Sequence, residues 1–358
     1  MLSETFFCFQ GWFWYTLCHV GAYELHFHYM KKTPVILVIL VLFGWAVWEV
    51  FQKSLTSLDW SVLTRFSLWA FLLFTLVSLV NFAIFSLRWQ RIVHAGRDKV
   101  VSLWKISMFR FVGYSVSYLT PFAQLGGEPV RIYFLEKNGI PRKEAVSSVF
   151  IDKLFEAGIQ LIFVAITIAV VLLSGADLPS ENLTIGMLLV LSIIAVVYLW
   201  MTIWGKGFFT QVFRWLHLGN IKKLAPFEAK IERTEERIRS FFRNHPRDLL
   251  WVCLLSLLTY GFFLLEYEVM LTSLGVVPTF RQLLVVSMLP MIAYLTPIPG
   301  AVGAFELLSI ASMQIVGLEG SLALPIIAMI RLRDLIFLGI GFAYASTHGV
   351  RLAAQKPQ

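Results

Sequence analysis

Apolar residues run in long blocks along this chain, not in alternation. Six blocks, 34–51, 66–87, 145–173, 184–204, 249–271 and 322–345, approach or exceed the roughly 20 residues that cross a 30 Å hydrocarbon core as a helix. The period-two pattern of barrel strands is absent, so the spans are expected to be helical. Two further apolar stretches, 104–121 and 281–297, are each broken near their end by Pro and Gly. The pattern predicts an all-α polytopic membrane protein with about six full transmembrane helices and two re-entrant broken-helix hairpins.

Composition strengthens this reading. Of 358 residues 58% are hydrophobic and 15% charged, against about 25% charged in a soluble protein. The net charge of +8 is that of positive loops on one membrane face, and no nucleic-acid partner is expected. Lys31 and Lys32 precede the first span, Arg88, Arg91, Arg97, Lys99 and Lys105 follow the second, and ten basic residues crowd 205–248. The loop 174–183 has Asp177 and Glu181 without any Lys or Arg. Positive-inside counting then places both termini, 88–105 and 205–248 in the cytoplasm and 174–183 outside. On this counting 104–140 enters and leaves on the cytoplasmic side, and 281–317 on the other. Within 205–248, Phe227, Ile231, Ile238, Phe241 and Phe242 recur at helical spacing. They make an amphipathic helix that either solvates as a linker or contacts anionic lipid.

Three domain segments follow. Residues 1–29, rich in aromatics and holding His19, His26 and His28, lack a basic n-region, and Met30-Lys31-Lys32 reads as a natural start. The segment is expected to be an N-terminal extension, with the transmembrane domain over 30–350 and a short tail at 351–358. Cys8, Cys18 and Cys253 form neither a disulfide framework nor a metal pattern.

The chain also repeats itself. Tyr118-Leu-Thr-Pro121 recurs as Tyr294-Leu-Thr-Pro297. Gly126-Gly127-Glu128 is answered by Gly300, Gly303 and Glu306, and Lys153-Leu-Phe-Glu156 by Arg331-Leu-Arg-Asp334. Three predicted spans separate the hairpins, an odd number, so the copies face opposite ways, as in many transporters. Each break is expected to start a new helix whose N-terminus attracts anions, one at Pro129 and one at Pro297-Ile-Pro299-Gly300. Arg131 lies in the first turn of the former, placed to fork onto a phosphate. The rival reading is that these Pro and Gly residues only build turns. Asp152, Lys153, Glu156, Glu266, Glu268, Arg331, Arg333 and Asp334 fall inside spans, at a cost of ~2.5–3.5 kcal/mol each at a helix centre. They are expected to face an interior polar path or a helix-locking network, with Lys153–Glu156 and Arg331–Asp334 as i, i+3 pairs. Glu128 and Glu306 are candidates for proton or headgroup coupling. Nucleotide, hydrolase, zinc and Asp-x-Asp metal motifs are all absent from the sequence, and no cofactor or metal is expected.

Gly126-Gly127-Glu128-Pro-Val-Arg131, Asp152-Lys153-Leu-Phe-Glu156 and Pro297-Ile-Pro299-Gly300-Ala-Val-Gly303-Ala-Phe-Glu306 resemble the lysylphosphatidylglycerol synthase transmembrane-region, or flippase-like domain, family. The similarity runs from about residue 34 to 350. Ala301 stands where the family often has Gly, and Lys153 where Arg is commoner. Larger relatives carry a soluble aminoacyl-transferase domain that this sequence lacks. The resemblance implies a flippase moving an anionic phospholipid or polyprenyl-phosphate lipid across a bacterial or archaeal cytoplasmic membrane. Two alternatives remain open: a membrane-embedded transferase acting on such a lipid, and a partner that tethers a lipid-modifying enzyme through 205–248. The oligomeric state is not legible.

Overall fold

The computed structural model describes residues 67–97, 100–120, 125–173, 208–215, 225–296 and 298–354. The predicted spans 34–51 and 184–204, the N-terminal segment 1–29 and the breakpoint prolines Pro121 and Pro297 lie outside them.

Every element among the described residues is helical. Helix α1, Leu68–His94, starts at Ser67, whose hydroxyl accepts from the Ala70 amide. Helices α2, Leu103–Leu119, and α3, Glu128–Lys137, form the first broken pair, and α4, Arg142–Leu173, follows. After α5, Phe208–Trp215, and α6, Ala225–Asn244, come α7, Pro246–Ser273, and α8, Phe280–Met288. A 3₁₀ stretch, Leu289–Leu295, and a single turn, Pro299–Ala301, lead to α9, Ala304–Ile315. A turn at Gly320–Leu322 then enters α10, Ala323–Ala354. Helices α1, α4 and α7 are long and apolar enough to cross a membrane. Helix α10 has 32 residues and holds Arg331, Arg333 and Asp334 in its first half. Helix α3, with ten residues, reaches only about 15 Å, and α9, with twelve, about 18 Å. Neither crosses a 30 Å core, which fits the hairpin expectation.

The repeat is carried by the elements themselves. Helices α1 to α4 correspond in order to α7 to α10, with 27 residues in α1 against 28 in α7 and 32 in both α4 and α10. The short helices end identically. Gly139 and Gly317, 178 residues apart, take φ of 83° and 75°. The next amide then folds back, from Ile140 to the Leu135 carbonyl and from Leu318 to the Met313 carbonyl. This is the Schellman ending that favours glycine. Corresponding helices run antiparallel. Asn81 of α1 meets Glu266 of α7, Arg88 meets Ser256, and Arg91 lies over Trp251. As one helix advances the other recedes, so the two halves are inverted copies.

Each half supplies most of one core, with Phe74 and Val171 of the first half joining the second cluster and Ala345 of the second joining the first. Trp89, Ile106, Phe109, Phe134 and Leu135 cluster in the first. Met270, Val285, Phe305, Met313 and Ile330 cluster in the second. The halves join along α1–α7 and along α2–α10, the latter also antiparallel through Tyr114–Asp334 and Phe109–Tyr344. Leu72, Leu73, Leu76 and Leu79 on α1, with Leu250, Leu254 and Leu257 on α7, stay exposed, as lipid-facing positions must.

Helix α6 departs from both sequence readings of its apolar stripe. Ile238 and Phe241 are buried against Ile92, Ile151 and Val252, so this part of the stripe docks on the ends of the bundle helices. Phe227 lies outside the described side chains.

Candidate functional site

Between the halves lies a cavity of about 240 Å³. Its wall shows the repeat in its purest form. Asn81, Phe82 and Phe85 of α1 and Thr259, Tyr260 and Phe263 of α7 all line it, each exactly one repeat of 178 residues apart. Part of the cavity wall is therefore made from the same positions of both inverted copies, while Glu128, Lys153 and Glu156 line it from the first half alone.

Two charge networks flank it. In the first, Asp152 of α4 is fully buried and gathers three guanidinium groups. Arg88 donates through Nε at 3.0 Å and Nη2 at 2.8 Å. Arg110 and Arg131 each reach Asp152 Oδ2 at 2.6 Å. Arg131 also pairs with Glu128 at 2.9 Å, while Lys153 bonds Glu156 at 2.7 Å and approaches Glu128 at 3.8 Å. Four bases (Arg88, Arg110, Arg131, Lys153) thus face three acids (Asp152, Glu128, Glu156). In the second network, Arg331 reaches Glu306 at 2.6 Å and Asp334 at 3.8 Å. Arg333 pairs with Asp334 at 2.8 Å and Glu266 at 3.1 Å. Here two bases face three acids. Burying unpaired charges of this kind would cost several kcal/mol each, and pairing offsets that cost.

The site residues expected from the sequence come together as two matched triads. Glu128, Lys153 and Glu156 sit near one broken helix, and Glu306, Arg331 and Asp334 near the other, each pair one repeat apart. Gly126 and Gly127 turn the first break. A Cβ on Gly127 would lie 1.9 Å from the Gly113 carbonyl oxygen, so α2 and α3 cross with no room for a side chain. Gly300 forms the second break, where a Cβ would lie 2.7 Å from the Tyr118 ring, and Pro299 opens the 3₁₀ turn. The threonines before the breaks act alike: the Thr120 amide bonds the Ser117 carbonyl and the Thr296 amide the Ala293 carbonyl.

Three expectations change. The second helix does not begin at Pro299-Gly300. Gly300, Ala301 and Gly303 all have positive φ, which no helix propagates, and α9 starts at Ala304. Its first turn is closed by its own acid, since the Gly303 amide donates to Glu306 Oε2 at 2.6 Å, leaving less positive end for an external anion. Arg131 spends its two terminal nitrogens on Glu128 and Asp152; only its Nε, like that of Arg110, is buried without an acceptor. Glu268 is exposed, because two residues along a helix from buried Glu266 is the opposite side.

Sequence reasoning missed Arg88, Arg110, Tyr114 and Tyr118 as members. Arg88 had been counted with a cytoplasmic loop, yet it has no exposed surface, because α1 runs on to His94 and Asp152 neutralises it. Extending the repeat to α1 and α7 would have exposed it, since Arg88 and Glu266 are one repeat apart. Tyr114 donates to Asp334 at 2.8 Å, and Tyr118 receives Arg331 Nη1 at 2.8 Å.

With the geometry in place, the comparison with known proteins is direct. Residues 35–341 match the family model of the lysylphosphatidylglycerol synthase TM region. The chain belongs to this family. Both triads, both breaks and the cavity wall fall inside the matched stretch. A curated relative, a UPF0104 membrane protein of Pyrococcus horikoshii, is 27% identical over 326 residues, covering 85% of this chain and 92% of that protein. Like the rest of the lysylphosphatidylglycerol synthase TM region family, the chain is a helical membrane protein.

Proposed function

We propose that this protein moves a lipid with a phosphate-bearing headgroup across the cytoplasmic membrane. The headgroup passes through the cavity between the inverted halves while the acyl chains stay in the bilayer. The observation that carries this reading is the cavity between two oppositely oriented copies, whose wall includes the equivalent residues Asn81 and Thr259, Phe82 and Tyr260, and Phe85 and Phe263. A chamber between such copies can present the same chemistry to either side by exchanging the conformations of its halves.

Two features support it. The first network holds one base more than its acids, and Arg110 and Arg131 each keep a buried Nε without an acceptor, which suits a phosphate oxygen. The two triads also stand in different states. Glu128, Lys153 and Glu156 line the cavity. Arg331 is instead held away by Tyr118, Glu306 and the Gly300 carbonyl, at 2.8, 2.6 and 2.9 Å. The first gate, Glu128–Lys153–Glu156, faces the chamber, and the second is turned away from it.

Purified protein in vesicles with a fluorescent phosphatidylglycerol tests the reading. Wild type is expected to carry label from the inner to the outer leaflet. Lys153→Gln, which keeps length but drops the charge, is expected to slow this about tenfold, the loss of roughly one charge-assisted contact. Folded wild-type protein that moves no label, with several anionic lipids tried, would refute it.

A further inference from the structure

A second polar cavity, of about 230 Å³, lies where α1 ends and α4 and α7 begin. Arg97, Glu144, Ile151, Arg237, Ser240 and His245 are among the residues that line it, and none of the six touches the central chamber. The central transport reading does not use this cavity.

Its chemistry is that of an anion site. Arg97 pairs with Glu144 through Nε at 2.9 Å, which accounts for the single carboxylate in the wall. No carboxylate among the described residues pairs with Arg237, which lines the same cavity as Arg97 and adds a like charge there. The Ser240 oxygen accepts from Asn244 at 3.0 Å, leaving its own proton to donate. Two guanidinium groups and a hydroxyl donor therefore surround one acid. The pocket is also shaped on purpose: Gly96 turns with φ of 67°, and a Cβ there would lie 2.7 Å from the His245 ring. The imidazole can sit against the wall only because that position has no side chain.

We propose that this pocket binds a phosphate group at the rim of the membrane and uses it to hold α6 on the bundle. Basic pockets between membrane helices are natural seats for anionic headgroups, and a free phosphate compound has the same chemistry. The position gives the site leverage. Ile151 lines the outer pocket, and the next residue, Asp152, is the hub of the central network, so one turn of α4 belongs to both. An occupant that clamps α6 across the ends of α1 and α4 stiffens the helix that carries Asp152, Lys153 and Glu156.

The test is thermal unfolding of the full chain, followed by tryptophan fluorescence, in two arms. In detergent, inorganic phosphate is titrated against chloride at equal ionic strength; in nanodiscs, phosphatidylglycerol replaces phosphatidylcholine. The expected result is a saturable rise in Tm in at least one arm. A response to lipid assigns a headgroup, and a response confined to the phosphate arm assigns a soluble phosphate compound. Arg237→Glu, at an exposed position, is expected to raise the half-saturating concentration roughly tenfold or more, and Ser240→Ala to raise it less. Glu236→Ala, an exposed position on the same helix that lines neither cavity, is expected to respond as wild type does. The proposal is overturned if Tm moves in neither arm, if Arg237→Glu responds like wild type, or if Glu236→Ala abolishes the response.

Discussion

Ala301 occupies a left-handed backbone position, φ 52°, beside Gly300 at 59° and two residues before Gly303 at 85°. Glycine takes such angles freely, whereas a Cβ costs about 1–2 kcal/mol there. The family resemblance implies glycine at this position, and the left-handed backbone gives a physical reason for one. Ala301→Gly is expected to raise stability by about 1 kcal/mol, read as a higher Tm in detergent; a fall in Tm would show that the buried methyl group is worth more than the strain it causes. The charges nearby obey a different logic. Asp152 is legible in the sequence as an intramembrane charge, but its three arginine partners are not. Arg88 and Arg110 come from different helices, and their convergence on one carboxylate is a tertiary fact that no local spacing announces.

At the level of elements, the repeat is most informative where it is inexact. Arg88 of α1 bridges to Asp152 of α4, and in the other half Glu266 of α7 bridges to Arg333 of α10, with the signs exchanged and the α10 partner one turn beyond Ile330, the repeat equivalent of Asp152. Each bridge ties the first helix of its half to the last. Glu266→Arg alone or Arg333→Glu alone is expected to cost 3 kcal/mol or more, as removing one partner of a buried pair does (about 3–5 kcal/mol). The double exchange is expected to recover at least about 1 kcal/mol of the combined loss. Strict additivity of the two costs would mean the pair has no energetic coupling. The broken helices were legible because Pro, Gly and the shared Tyr-Leu-Thr-Pro word announce them. The start of α9 was misplaced because three residues with positive φ within four positions, Gly300, Ala301 and Gly303, have no signature beyond two glycines. Tyr118 escaped notice for another reason: its tie to Arg331 crosses from α2 to α10 and joins residues 213 positions apart. Tyr118→Phe keeps the ring against Gly300 but removes that hydrogen bond. A loss of about 1 kcal/mol is expected to enlarge the population in which the second gate is open by roughly fivefold, measured as faster labelling of a cysteine at Ser312, which is buried on α9. An unchanged rate would mean the tyrosine hydroxyl does not hold the gate.

Among the described residues, two inverted bundles pack along α1 and α7, with a chamber between them lined by aromatic and charged side chains. That arrangement ties the account to alternate exposure of the chamber, and a cysteine placed in its wall reports this exposure most directly. Thr259 is such a position, buried and lining the cavity. In a background with Cys8, Cys18 and Cys253 replaced, Thr259→Cys is reconstituted in vesicles and treated with a membrane-impermeant maleimide from either side. The account predicts labelling from both sides, with Tyr118→Phe shifting the ratio between them. Labelling confined to one side, in the presence and absence of anionic lipid and in Tyr118→Phe alike, would contradict it.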